Sequence, residues 1–270
     1  MPERKHYQLG SHSTAVFDWR PAGALLTAHN TKTVKGEDHG WVTAILYLAP
    51  HTLGSPKTVC PYSTPACRAA CLYHAGRGVM RRTIEARDTR TLLWWDDRQA
   101  FLAKLAMEII EVRHHAIKAG HRLAVRLNGT SDIFWERERA ESAGGKTLFE
   151  MFPGVQFYDY TKAPLHLRET PDNYRLTFSL DEENLDQAVG HLRAGHSIAA
   201  VVDEEAKREH ESWSAWGDED VTWIDGDLHD LRFLDPPRSV VQLRPKGQRA
   251  VGSPMIHNDL PTRLRRAVVA

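Results

Sequence analysis

Seven short apolar runs punctuate the chain: WVTAILYL (41–48), RLAVRL (122–127), VQFYDY (155–160), YRLTFSL (174–180), SIAAVV (197–202), VTWID (221–225) and SVVQLR (239–244). Each has the length of a strand and is mostly continuous rather than alternating, the pattern of strands buried on both faces of a parallel sheet. Helical periodicity fills the gaps. From about Thr83 to Ala119 the apolar residues Phe101, Leu105, Ile109, Val112 and Ala116 recur at spacings of three and four, and Gly120 closes the pattern. The stretch 181–195 opens with acidic residues and ends in Gly195, as the helix dipole and C-cap preferences require. Segments 136–151 and 204–217 are also expected to be helical. Residues 1–40 form a polar extension, with a short hairpin expected around AVFDW (15–19), and residues 251–270 form a tail.

Strand, helix and strand in repeated succession predict right-handed parallel crossovers. Either a doubly wound sheet or a barrel would satisfy them. The strand ends decide: the runs end in the cysteine loop, RLNGTSD (126–132), YDYTK (158–162), Ser179 and Asp181, Asp203, DGD (225–227) and LRPKG (243–247). Polar groups converging from every strand favour a barrel mouth over a cleft at one switch point. The predicted fold is therefore a single α/β domain. It is a partial, TIM-like (β/α) barrel of six to seven mainly parallel strands, with a cysteine loop after the first core strand.

Composition narrows the function classes. Lys+Arg and Asp+Glu balance at 35 each, so overall charge does not indicate nucleic acid. The basic stretches RGVMRR (77–82) and TRLRR (262–266) are short enough to be solvated surface. No apolar run approaches the roughly 20 residues that span a bilayer, and the first ten residues carry no signal-peptide core. A cytoplasmic location is expected, with reduced thiols.

Cys60, Cys67 and Cys71 are the chain's only cysteines and fall within twelve residues, in CPYSTPACRAACLYHAGRG. An odd number in one tight loop does not form a disulfide framework. Three readings stand side by side: inert buried thiols, a zinc site with His74 as fourth ligand, and an iron–sulfur cluster held by three thiolates. The cluster leads, because a loop broken by Pro61 and Pro65 buries little. It would leave one iron open for water or a small ligand.

The remaining candidates lie at strand ends. Asn128, Gly129, Thr130, Ser131 and Asp132 suit either a turn that caps a helix or a ligand contact. Arg126, inside an apolar strand, needs an anion or a carboxylate. Lys162 follows Tyr158, Asp159 and Tyr160 and suits an anionic group. The run Asp225–Asp230 packs three carboxylates and His229 into six residues, without EF-hand spacing, and suits either a turn or a hard cation. GGKT (144–147) is not a phosphate-binding loop, since Ala140 stands where its first glycine belongs.

The order of these motifs resembles the phage gene product 88 family of uncharacterised proteins. The likeness rests on NTKTVKG (30–36), TAILYLAP (43–50), the cysteine loop (60–72), GRG (76–78), RLNGTSDIFWE (126–136), YDYTK (158–162), DGDLHDLRFLD (225–235) and PKG (245–247), and covers roughly residues 28–250. The architecture also resembles a radical-SAM partial barrel, which implies a 4Fe–4S cluster and S-adenosylmethionine. The cysteine spacing departs from that family's Cys-x3-Cys-x2-Cys, and LNGTSD stands where a Gly-Gly-Glu-like segment is common. The expectation is thus a 4Fe–4S protein acting on a small molecule. Cys60, Cys67 and Cys71 would be metal ligands, and Lys162, Asp203 and Asp225 catalytic. Arg126, Asn128, Asp132, Tyr160 and Lys246 would bind the cofactor. The alternatives are an iron–sulfur sensor without turnover, or a structural zinc protein that binds a host partner. Phage encoding would place it in the host cytoplasm.

Overall fold

A computed structural model describes residues 17, 19, 21–28, 33–211 and 221–269. Eight strands form one sheet: β1 (Leu26–Thr27), β2 (Trp41–Leu46), β3 (Arg122–Arg126), β4 (Gln156–Thr161), β5 (Tyr174–Ser179), β6 (Ile198–Val201), β7 (Thr222–Asp225) and β8 (Ser239–Leu243). The sheet order is β1-β2-β3-β4-β5-β6-β8-β7. Only β1 pairs antiparallel; β2 to β8 are parallel throughout. The seven expected strands are present within two residues of their expected bounds. The two-residue β1 carries too little pattern to be seen in the sequence. The sheet has two edges, β1 and β7, so the described residues form a mixed α/β fold around an open sheet.

The helices are α1 (Pro65–Ala69), α2 (Arg81–Asp96), α3 (Arg98–Lys118), α4 (Leu148–Met151), α5 (Leu185–Arg193), α6 (Glu204–Glu211) and α7 (Leu260–Val269). The single helix expected over 83–119 is two. Asp97 leaves helical geometry (φ −143°, ψ 82°), and its carboxylate caps α3 by accepting from Ala100 N at 2.9 Å. Of 136–151, α4 and two 3-10 turns are helical, with α4 held by a capping box of Thr147 and Glu150. The hairpin around 15–19 and the end of the 204–217 segment lie largely outside the described residues.

The sheet's two faces carry different chemistry. On one face, Val42, Ala44, Leu123, Val125 and Phe157 pack in one core with Phe101, Leu105, Ile109 and Val112 of α3. Phe178, Ile198, Ala200 and Val240 continue it against α5 and α7 through Val189, Leu192 and Leu264. The alternate residues Trp41, Ala124 and Tyr158 meet Leu231 on the opposite face, with Phe233 packed beside them. Period-two alternation thus survives inside runs that read as uniformly apolar.

Candidate functional site at the carboxyl ends of the parallel strands

Parallel pairing brings the ends of β2 to β8 to one edge, where the loops that follow them meet. The loop after β3 is fixed by Asn128. Its Oδ1 accepts from Ser131 Oγ (2.8 Å), Ile133 N (3.0 Å) and Trp135 Nε1 (3.0 Å), and its Nδ2 donates to Ile133 O (3.0 Å). Asn128 therefore spends its amide on its own turn. A Cβ on Gly129 would lie 2.6 Å from Leu46 O and 2.7 Å from Ile45 Cγ2, so only glycine lets this loop cross β2. Asp132 is buried and accepts from Thr161 Oγ1 (2.8 Å) and Lys162 N (2.9 Å). Burial raises its pKa against the pull of Arg168, whose Nη1 lies 3.4 Å away. Arg168 in turn forks onto Glu136, with Nη2 to Oε2 at 3.0 Å. Asp159, beneath, accepts from Asn128 N (2.7 Å) and Tyr174 OH (3.0 Å), and burial pushes its carboxyl up to about 7.

Two cations expected to face a ligand hold counter-charges of their own. Arg126 donates to Asp230 Oδ2 at 2.9 Å and lies 4.6 Å over the Tyr160 ring, and Tyr158 OH donates to the same carboxylate oxygen at 3.2 Å. Burial disfavours the Arg126 charge, but Asp230 keeps it protonated. Lys162 Nζ donates to Leu180 O (3.1 Å) and lies 3.5 Å from Asp181 Oδ2. Asp203 is joined to Asn258 by two 2.8 Å bonds. Asp225 pairs with Lys207, and Asp227 pairs with Lys246 (2.7 Å) and Lys207 (3.2 Å). The DGD turn therefore ties β7 to α6 and to the loop after β8.

The cysteine loop is braced rather than open. Asp132 N donates to Val59 O at 2.8 Å, and Glu182 accepts from Thr64 Oγ1 (2.9 Å) and Ala66 N (3.2 Å). Each thiol has separate surroundings. Cys60 Sγ lies 3.4 Å from His51 N and donates to Thr130 O at 3.6 Å; burial pushes its thiol up to about 12. Burial also raises Cys67, against Lys162, and Cys71, against Arg87. The three feel one another's charge. Yet among the described residues no three His, Cys, Asp or Glu side chains are grouped to hold a metal ion. This corrects the expected 4Fe–4S site on Cys60, Cys67 and Cys71, and with it the zinc alternative through His74. The physical reason is that nearness in sequence has not made a ligand set: Cys60 Sγ is engaged by His51 N and Thr130 O, Cys67 faces the charge of Lys162 and Cys71 that of Arg87, whereas ligation needs converging thiolates.

The sequence reading missed the least compensated charge at this edge. Arg87, in the second turn of α2, is 7% exposed and reaches back toward Gly78, where an added Cβ would lie 3.3 Å from its Nη1. Its guanidinium lies between two rings, 5.4 Å from Tyr47 and 5.2 Å from Tyr73. Its Nε and Nη1 have no hydrogen-bond partner among the described residues. Among the described residues no carboxylate lies within ion-pair distance of it, although Asp88 contributes charge from further off. The only trace in the sequence is spacing: Arg87 shares a helical face with buried Thr91 and Trp94.

A family model described as gene product 88 matches residues 24–258, so the chain belongs to that family. No match was found among curated proteins or among solved structures. The radical-SAM likeness finds no support in these comparisons.

Proposed function

We propose that this member of the gene product 88 family binds a small anionic molecule, one bearing a phosphate or carboxylate group, at the carboxyl ends of its parallel strands. Arg87 is the charge anchor. One observation carries the reading: a guanidinium buried between Tyr47 and Tyr73 with two nitrogens unpartnered. An arginine charge withdrawn from water without an acceptor is costly, and natural sequences place such a group where an anion supplies the missing bonds. The position supports it, because Tyr47 directly follows β2 and Tyr73 belongs to the cysteine loop, at the edge where parallel α/β folds bind ligands.

The expectation of a small-molecule partner is thus kept in a narrower form, and the cluster chemistry is not. The strand order supports reading the sheet as a partial barrel. From β2 to β6 it never reverses, so successive right-handed crossovers stack their helices on one face. The test is isothermal calorimetry with inorganic phosphate, sulfate and malonate. Saturable binding of at least one anion, lost in Arg87→Gln, supports the reading; no heat with any of the three overturns it.

A further inference from the structure

A concavity of about 310 Å³ lies beside the cysteine loop. Fully buried Thr91 separates it from Arg87 along α2, its hydroxyl holding Ala49 N at 2.8 Å. Four aromatic residues line it: Tyr62 from the cysteine loop, Trp94 and Trp95 from α2, and Phe134 from the loop after β3. The Tyr62 and Phe134 rings lie within 10° of parallel, with centroids 5.9 Å apart. Tyr62 is 37% exposed, so its ring is available at the mouth of the concavity.

Two features go beyond apolar packing. Among the described residues the indole Nε1 of both Trp94 and Trp95 lacks a hydrogen-bond partner, and Trp94 is only 1% exposed. A buried N–H without an acceptor costs about 1–3 kcal/mol. Cations also crowd the rings. Arg98 lies 4.4 Å over Trp94, Lys57 lies 5.2 Å over Trp95, and Arg137 lies 4.7 Å over Phe134. Arg98 pairs at 3.4 Å with Glu138, which lines the groove together with Asp132, while among the described residues no carboxylate lies within ion-pair distance of Lys57 or Arg137.

Flat rings select a planar ligand, and Lys57 and Arg137 at the rim of the groove select one that carries an anionic substituent. We propose that this groove binds a mononucleotide, its base on the Tyr62 and Phe134 rings and its phosphate beside Lys57 and Arg98. Size and charge point to a monomer rather than a strand. A volume near 310 Å³ is at the lower end for ligand sites and holds one ring system. A chain with 35 acidic and 35 basic residues has no field to track a phosphate backbone.

The experiment is calorimetric titration of the full chain with AMP, GMP, CMP and UMP, and with a thymidine decanucleotide. Saturable binding of at least one mononucleotide is expected, weakened about tenfold or more in Tyr62→Ala, the loss of one stacking contact. Lys57→Gln should weaken it by a smaller factor. Both residues are exposed, so neither variant threatens folding. Loss of binding in Arg87→Met with none in Tyr62→Ala would move the nucleotide to the other site and overturn the groove. Absence of mononucleotide binding at millimolar concentration would also overturn it, as would binding of the decanucleotide alone.

Discussion

Replacing Arg87 by methionine should stabilise the ligand-free protein and abolish its response to anions. The guanidinium leaves two nitrogens without partners, and each unmade bond costs about 1–3 kcal/mol. Its two ring contacts return about 0.5–2 kcal/mol each. The balance is a net cost of about 1–2 kcal/mol, which an apolar side chain of similar length removes. For a chain of this size that raises Tm by roughly 2–6 °C. The wild type should regain more on ligation: an anion at a hundred times its Kd contributes about 2.7 kcal/mol. Differential scanning calorimetry of both proteins, with and without saturating phosphate, sulfate or malonate, reads both effects. Should the variant melt well below the wild type while no anion shifts either protein, Arg87 is a structural clamp between two tyrosines and the reasoning fails.

Other outcomes rest on separate groups. Asp88→Asn should tighten anion binding several-fold in the same titrations, because it removes a negative charge near Arg87. His257 is fully buried, its Nδ1 lies 3.0 Å from Arg263 Nη1, and burial lowers its pKa to about 4. The unfolded chain therefore binds more protons here between pH 6.5 and 4, and stability from this residue falls as pH drops through that window, by about 3 kcal/mol in all. His257→Gln should be the less acid-sensitive protein in urea titrations at pH 7 and pH 4.5, and equal sensitivity would refute the assignment. Asn128→Ala should cost about 2–4 kcal/mol by denaturant midpoint, since three donors lose their shared acceptor. Of the three thiols, Cys60 should react slowest with Ellman's reagent at pH 7, and fast wild-type labelling at Cys60 would contradict its raised pKa.

The sheet was legible because buried parallel strands are written as contiguous β-branched and aromatic runs, which need no long-range information to recognise. The break at Asp97 was hidden because the periodic residues on either side, such as Trp94 and Phe101, pack into the same core. The strand-end residues were found, but their partners were not. Arg126 finds Asp230 and Lys162 finds Asp181, and a sequence lists charges without pairing them. Arg87 was passed over for the complementary reason: in RRTIEARDTR it is one basic residue among several, and only burial distinguishes it. The cysteines misled because nearness in sequence is not convergence in space. Thr64 caps the short helix that carries Cys67, while Cys60 is turned toward Thr130.

The braces on the cysteine loop set an order of events. The loop is synthesised early, but what holds it arrives late: Asp132 after β3, Glu182 after β5, and Gly247, against which Ala75 packs, after β8. Until residue 247 has left the ribosome, Cys60, Cys67 and Cys71 are ordinary reactive thiols close together on an unfinished chain. Completion of the edge leaves them half-buried and raises their pKa values. The growing polypeptide thus passes through an interval of greater vulnerability to oxidation than the finished molecule, whose thiols are half-buried. Refolding yield should depend on reductant far more than the stability of the folded protein does.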